Sequence, residues 1–129
     1  MWNDEKDYIM RMIQEISRVV FSLMFGKQYI QVELEEQSKY QVAGKNPDEY
    51  KHMVDHGEIN EAENLLLEYL DYQSKDEVAT AILFYEYVGS QTDEFLALYN
   101  YSKEEALDGM KQLAKEVGYN GIWDEFERG

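Results

Sequence analysis

Apolar residues recur at helical spacing through most of this chain. From Asn3 or Asp4, either of which can cap a helix, they fall at Ile9, Ile13, Ile16, Val20, Leu23 and Met24 and stop at Gly26. This predicts a first helix of about six turns. Its later part, "ISRVVFSLMF", is apolar on more than one face, so several neighbours or a second copy of the chain should enclose it, with Phe21 and Phe25 buried. Beyond Gly26 the pattern weakens. Ile30, Val32 and Leu34 alternate as in a strand, while "ELEEQSK" favours helix, so residues 27–45 are expected to form a short helix or an irregular connection.

Punctuation is sharper afterwards. Asn46 precedes Pro47, the only proline; asparagine caps, and proline at the first helical position lacks only an N–H that would have no partner there. That helix should run to about His56 and end at Gly57. "EINEAENLLLEYLDY" follows, with Ile59, Ala62, Leu65, Leu66, Tyr69 and Leu70 on its apolar side. Ser74 with Glu77, and Ser102 with Glu105, have capping-box spacing. The first opens a helix through Val78, Ala81, Ile82, Tyr85 and Val88 to Gly89, and the second opens one that ends at Gly118. A shorter helix is expected around Asp93 to Tyr99, and Trp123 and Phe126 in the tail either dock or fray. At 129 residues this reads as an all-α, single-domain antiparallel bundle of five or six helices.

Gly57, Ile59, Glu61 and Ala62, with Leu66 and Tyr69 four and seven residues beyond the alanine, form the pattern G-x-hydrophobic-x-E-A. This resembles the turn and second helix of a tetratricopeptide repeat, in which the small alanine lets two helices approach. Gly89 lies 32 residues after Gly57, near that repeat's period of about 34. The pattern departs from the repeat at Glu49 and Tyr50, where a small residue is expected, and at "SQTDEF", which lacks the E-A pair. The resemblance therefore implies repeat-like hairpins within a compact bundle, since a free-standing array needs about three repeats. Over nearly the whole chain, "DYIMRMIQEI", "GEINEAENLLLEYLDY" and "DEVATAILFYEYV" resemble a family of small uncharacterised bacterial proteins with a domain of unknown function. That resemblance implies an all-helical bacterial protein and brings no catalytic residues with it.

Charge narrows the partners. With 27 acidic and 12 basic residues the net charge is −15, which repels nucleic acid and anionic membranes and favours a basic protein or peptide. On the first helix Arg11 and Arg18 are accompanied by Asp4, Glu5, Asp7 and Glu15, unlike a membrane-lying helix, so packing within the domain or homo-oligomer formation through this helix is the stronger use. The chain has no cysteine, which removes disulfides, thiolate metal sites and thiol nucleophiles. Acids at the N-terminus and the shortness of "VVFSLMF" point to a cytoplasmic protein with no membrane partner.

The candidate chemistry is sparse. His52 and His56 lie four apart on one helix, with Glu49 three residues before the first, and this E-x-x-H unit has the spacing of metal ligands. The same histidines near a helix end also suit its exposed carbonyls and negative dipole, with no metal. No second E-x-x-H, calcium loop, nucleophile elbow or glycine-rich nucleotide loop occurs, so no cofactor is expected. In "LFYEYV", Tyr85 and Tyr87 cannot both face one core; both are candidates for partner contact, Tyr87 the better placed. The function read from these features is a non-enzymatic protein-interaction or scaffold module. The alternative is a small metalloprotein or metal-dependent enzyme built on His52, His56 and Glu49.

Overall fold

The computed structural model describes residues 4–25 and 40–118. Six helices lie among them: α1 (Asp4–Phe25), α2 (Pro47–Asp55), α3 (Ile59–Tyr69), α4 (Lys75–Gly89), α5 (Asp93–Leu98) and α6 (Lys103–Glu116). The expected short helix or irregular connection lies outside the described residues as far as position 39, as do Trp123 and Phe126. From Tyr40 the chain makes a tight turn, in which the Val42 N–H donates to the Lys45 carbonyl at 2.9 Å and the Lys45 N–H donates back at 3.0 Å.

The architecture follows from α4, whose sequence offers no polar face. Every residue from Val78 to Tyr85 is buried, and such a run passes more than twice round a helix. One-sided burial through Val78, Ala81, Ile82, Tyr85 and Val88 is thus corrected to full enclosure, because α1, α2 and α6 all lie against this helix. Ala79, Thr80 and Ala81 keep its girth small enough for them to do so. Thr80 carries a hydroxyl within the run, which donates to the Tyr40 carbonyl.

α1 supplies Ile9, Met12, Ile13, Ile16, Val20, Phe21 and Met24 to the core. At 22 residues it outruns α4 and α6, which have 15 and 14. Its end positions are therefore incompletely covered: Leu23, expected on the apolar stripe, is 52% exposed. Phe25 is only partly buried and stacks on Phe21 at 5.7 Å. The most extensive pairing of all is α1 with α6. First and last described helices thus close a bundle, whereas a solenoid keeps each repeat against its sequence neighbours. Most of the α1 stripe packs against helices of the same chain, and Leu23 near its end stays open.

The caps behave largely as the sequence indicates. Asn46 accepts from the Glu49 N–H at 2.8 Å and Glu49 returns the favour to the Asn46 N–H at 2.9 Å, a complete capping box. Tyr50 on α2 is fully buried and its hydroxyl donates to the Val42 carbonyl at 2.8 Å, holding the preceding turn to the core. Gly57, at φ +82°, ends the hairpin's first helix. The Glu58 N–H reaches the Met53 carbonyl and the Gly57 N–H reaches that of Val54, the paired bonds of a Schellman motif. In the expected box at α4, Ser74 accepts from the Glu77 N–H, but the Glu77 carboxylate accepts from the Asp71 N–H instead. α3 buries Ile59, Ala62 and Leu66 but leaves Tyr69 exposed, since only α2 packs closely on it.

Lys103 is buried at the first position of α6. Its ammonium donates to the carbonyls of Gly89 at 2.8 Å and Gln91 at 2.6 Å. Carbonyls at a helix C-terminus have no partner within the helix and carry the negative end of its dipole, so a cation there is favoured twice. No described helix is long and apolar enough to cross a membrane. Replacement Lys103→Met keeps the apolar stem and removes the cap; it should destabilise the fold by about 2–3 kcal/mol in urea denaturation. A loss within about 0.5 kcal/mol would show that water satisfies those carbonyls.

Candidate functional site

α3 leans on α2, and α6 on α1 and α4, but α3 and α6 meet at most marginally. The gap between them, floored by α4, is a hollow of about 380 Å³. Glu63 and Leu67 line it from α3, Tyr72 from the following turn and Tyr85 from α4; Glu105, Asp108, Gly109, Gln112 and Leu113 complete it from α6. Three of these side chains are carboxylates and none is basic.

Helical spacing explains why a carboxylate stands in the wall. Glu63 is four residues after Ile59 and three before Leu66, so it shares their inward side of α3 and is half-buried. The Tyr85 hydroxyl donates to its Oε2 at 2.8 Å. That reach depends on Gly109: a Cβ built there would lie 2.3 Å from the Tyr85 ring, so only glycine lets the ring lie against the α6 backbone. The Tyr101 hydroxyl is buried beside the same carboxylate without meeting any partner in hydrogen-bond geometry.

Burial, with a smaller contribution from the charge of Glu105, holds the Glu63 carboxyl above its ordinary range; the two tyrosine hydroxyls pull the other way. Burial and the Glu63 charge together push the hydroxyls of Tyr85 and Tyr101 far up, so both keep their protons. Among the described residues no group of three or more carboxylates or imidazoles is placed to hold a metal ion. The hollow instead has the dimensions and polarity to take an organic cation, with carboxylates for its charge and Leu67, Leu113 and Tyr72 for its carbon chain.

Of the residues singled out from sequence, Tyr85 alone lines the hollow. His52, His56 and Glu49 border a shallow depression of about 250 Å³ with Lys45, Met53 and Glu58. Glu49 serves the α2 cap, the Nδ1 of His56 lies 2.7 Å from the His52 carbonyl, and the Nε2 of His52 lies 3.7 Å from Asp48. Tyr85 is 1% exposed, with its ring covered by α6, and borders the hollow beside Glu63. Tyr87 remains partly exposed; its hydroxyl donates to Asp55 at 2.5 Å, and the Lys51 ammonium sits 5.5 Å from its ring centre. That bond, with partial burial, raises the Tyr87 hydroxyl to about 12.

The model of the Family of unknown function (DUF6483) matches residues 3–118. The chain belongs to this family. Nothing among the curated proteins and nothing among the solved structures matches it. In this DUF6483 chain, sequence reading passed over Glu63, Gly109 and Lys103. A signal existed for each: a polar or missing side chain at a position where helical spacing calls for an apolar one.

Two measurements probe the geometry. Gly109→Ala forces the Tyr85 ring away from α6 and should cost about 1–3 kcal/mol in urea unfolding; an unchanged midpoint would mean that the ring relocates freely. Glu63→Gln keeps an acceptor for Tyr85 and removes the charge. A carboxyl raised by folding binds its proton more tightly in the native state. Its contribution to stability is therefore full below its ordinary value of 4.5 and is lost as pH rises through the folded value. The urea midpoint of Glu63→Gln should accordingly gain on the wild type from about pH 4 to about pH 8. A pH-independent difference would show that the Glu63 charge is well solvated.

Proposed function

We propose that this protein is a non-enzymatic interaction module, built on tetratricopeptide-like helical hairpins, whose partner is a basic segment of a protein or peptide. The observation that carries the reading is the hollow between α3 and α6: three carboxylates without a basic residue, bordered by apolar side chains. Leu67 on its rim and Tyr69 on the same helix are exposed, which adds apolar area for a partner to cover. The net charge of −15 steers a basic chain toward the surface and repels polyanions.

The test is fluorescence anisotropy with a labelled peptide of alternating lysine and leucine. Wild-type protein should bind it at low salt and lose affinity as salt is added. Glu105→Lys and Asp108→Lys should each weaken binding by about tenfold, more than Glu94→Lys, which makes the same charge change on exposed α5. No binding, or equal weakening by all three, would sink the reading, because net charge alone would then account for the attraction.

A further inference from the structure

Glu63 differs from the two carboxylates with which it shares the hollow. It is half-buried, whereas Glu105 and Asp108 are exposed. Titratable groups face it from each neighbouring element: Glu105 and Asp108 on α6, Tyr85 on α4, Tyr101 just before α6, and Tyr72 after α3. No lysine, arginine or histidine lines the hollow to offset them. Like charges between low-dielectric walls resist ionising together, and the innermost yields first. With no cation present, a proton on Glu63 relieves that repulsion.

Tyr101 is an independent observation on the same spot. It is 4% exposed, and its hydroxyl, facing the Glu63 carboxylate, has no hydrogen-bond partner. A buried hydroxyl left so is destabilising. An ionised Glu63 has lone pairs for both tyrosine hydroxyls and for a cation, whereas a protonated one gives up part of that capacity.

Resting on the recognition of a basic partner argued above, we propose that a primary ammonium or guanidinium group enters the hollow and displaces the proton of Glu63 to solvent. Binding then releases a proton, and affinity rises with pH. The positive charge of the partner replaces the proton, and no other bond changes.

Calorimetry with the lysine–leucine peptide, in two buffers of different ionisation enthalpy near pH 5, counts the protons released. Carbon NMR of side-chain carboxyls in the free protein follows Glu63 directly. Affinity should climb by up to about tenfold per pH unit until Glu63 is ionised in the free protein. Glu63→Gln should bind with affinity nearly flat over that range, while Glu105→Gln should bind more weakly yet still release protons. Release of no proton by bound peptide, wild-type pH dependence in Glu63→Gln, or titration of Glu63 alongside the exposed carboxylates would each overturn the proposal and leave recognition standing. Failure of the wild type to bind the peptide at any pH would remove recognition itself, and the proposal with it.

Discussion

A helix apolar on every side must be surrounded, and α4 imposes that requirement on the rest of this chain. Its buried run cannot be left to water, and burying a single Leu, Ile or Phe side chain is worth about 1.5–3 kcal/mol. Three helices meet the demand, with α1 and α6 drawn together from opposite ends of the described sequence. Small residues on α4 let them approach, and Lys103 finishes the helix end that they enclose. The bundle is closed because its centre admits no open side.

The hollow arises from what is left over. α3 is held by α2 and takes little part in covering α4, so the flank between α3 and α6 is only partly filled. An apolar residue at position 63 would make that flank one more piece of core. Glutamate there, with tyrosine hydroxyls turned toward it, keeps the gap polar, and on the proposed reading it sets a charge preference. An acidic surface attracts basic chains broadly; a half-buried carboxylate with fixed donors discriminates among the groups they carry.

Regular features were legible in the sequence. Asn46–Pro47, Gly57, Ser74 and Ser102 mark helix ends through local chemistry, and local chemistry survives folding. Faces were less legible, since they depend on how many neighbours a helix acquires. Leu23 and Tyr69 fit apolar stripes yet are exposed, because α1 outruns its partners and α3 has a single close one. Tyr85 and Tyr87 were singled out together; that the Tyr85 ring turns inward depends on the missing side chain at Gly109, which makes room for it. Of the candidate site, sequence reading singled out Tyr85 alone. It is assembled from α3, α4 and α6, and no short pattern spans them. Only the polar interruptions at 63 and 103 and the glycine at 109, each at a core position of its helix, pointed inward.

Lys103 carries a consequence for the chemistry of this chain as a polymer. Acylation or methylation of a lysine requires the amine to be reached, and here it is occupied by two carbonyls and screened from solvent. Lys75 and Lys115, by contrast, are exposed. A reagent that marks amines therefore reads two things at once: the exposed lysines report the surface, and Lys103 reports how often the junction of α4 and α6 comes apart. The residue that fastens the bundle is also its built-in gauge of opening.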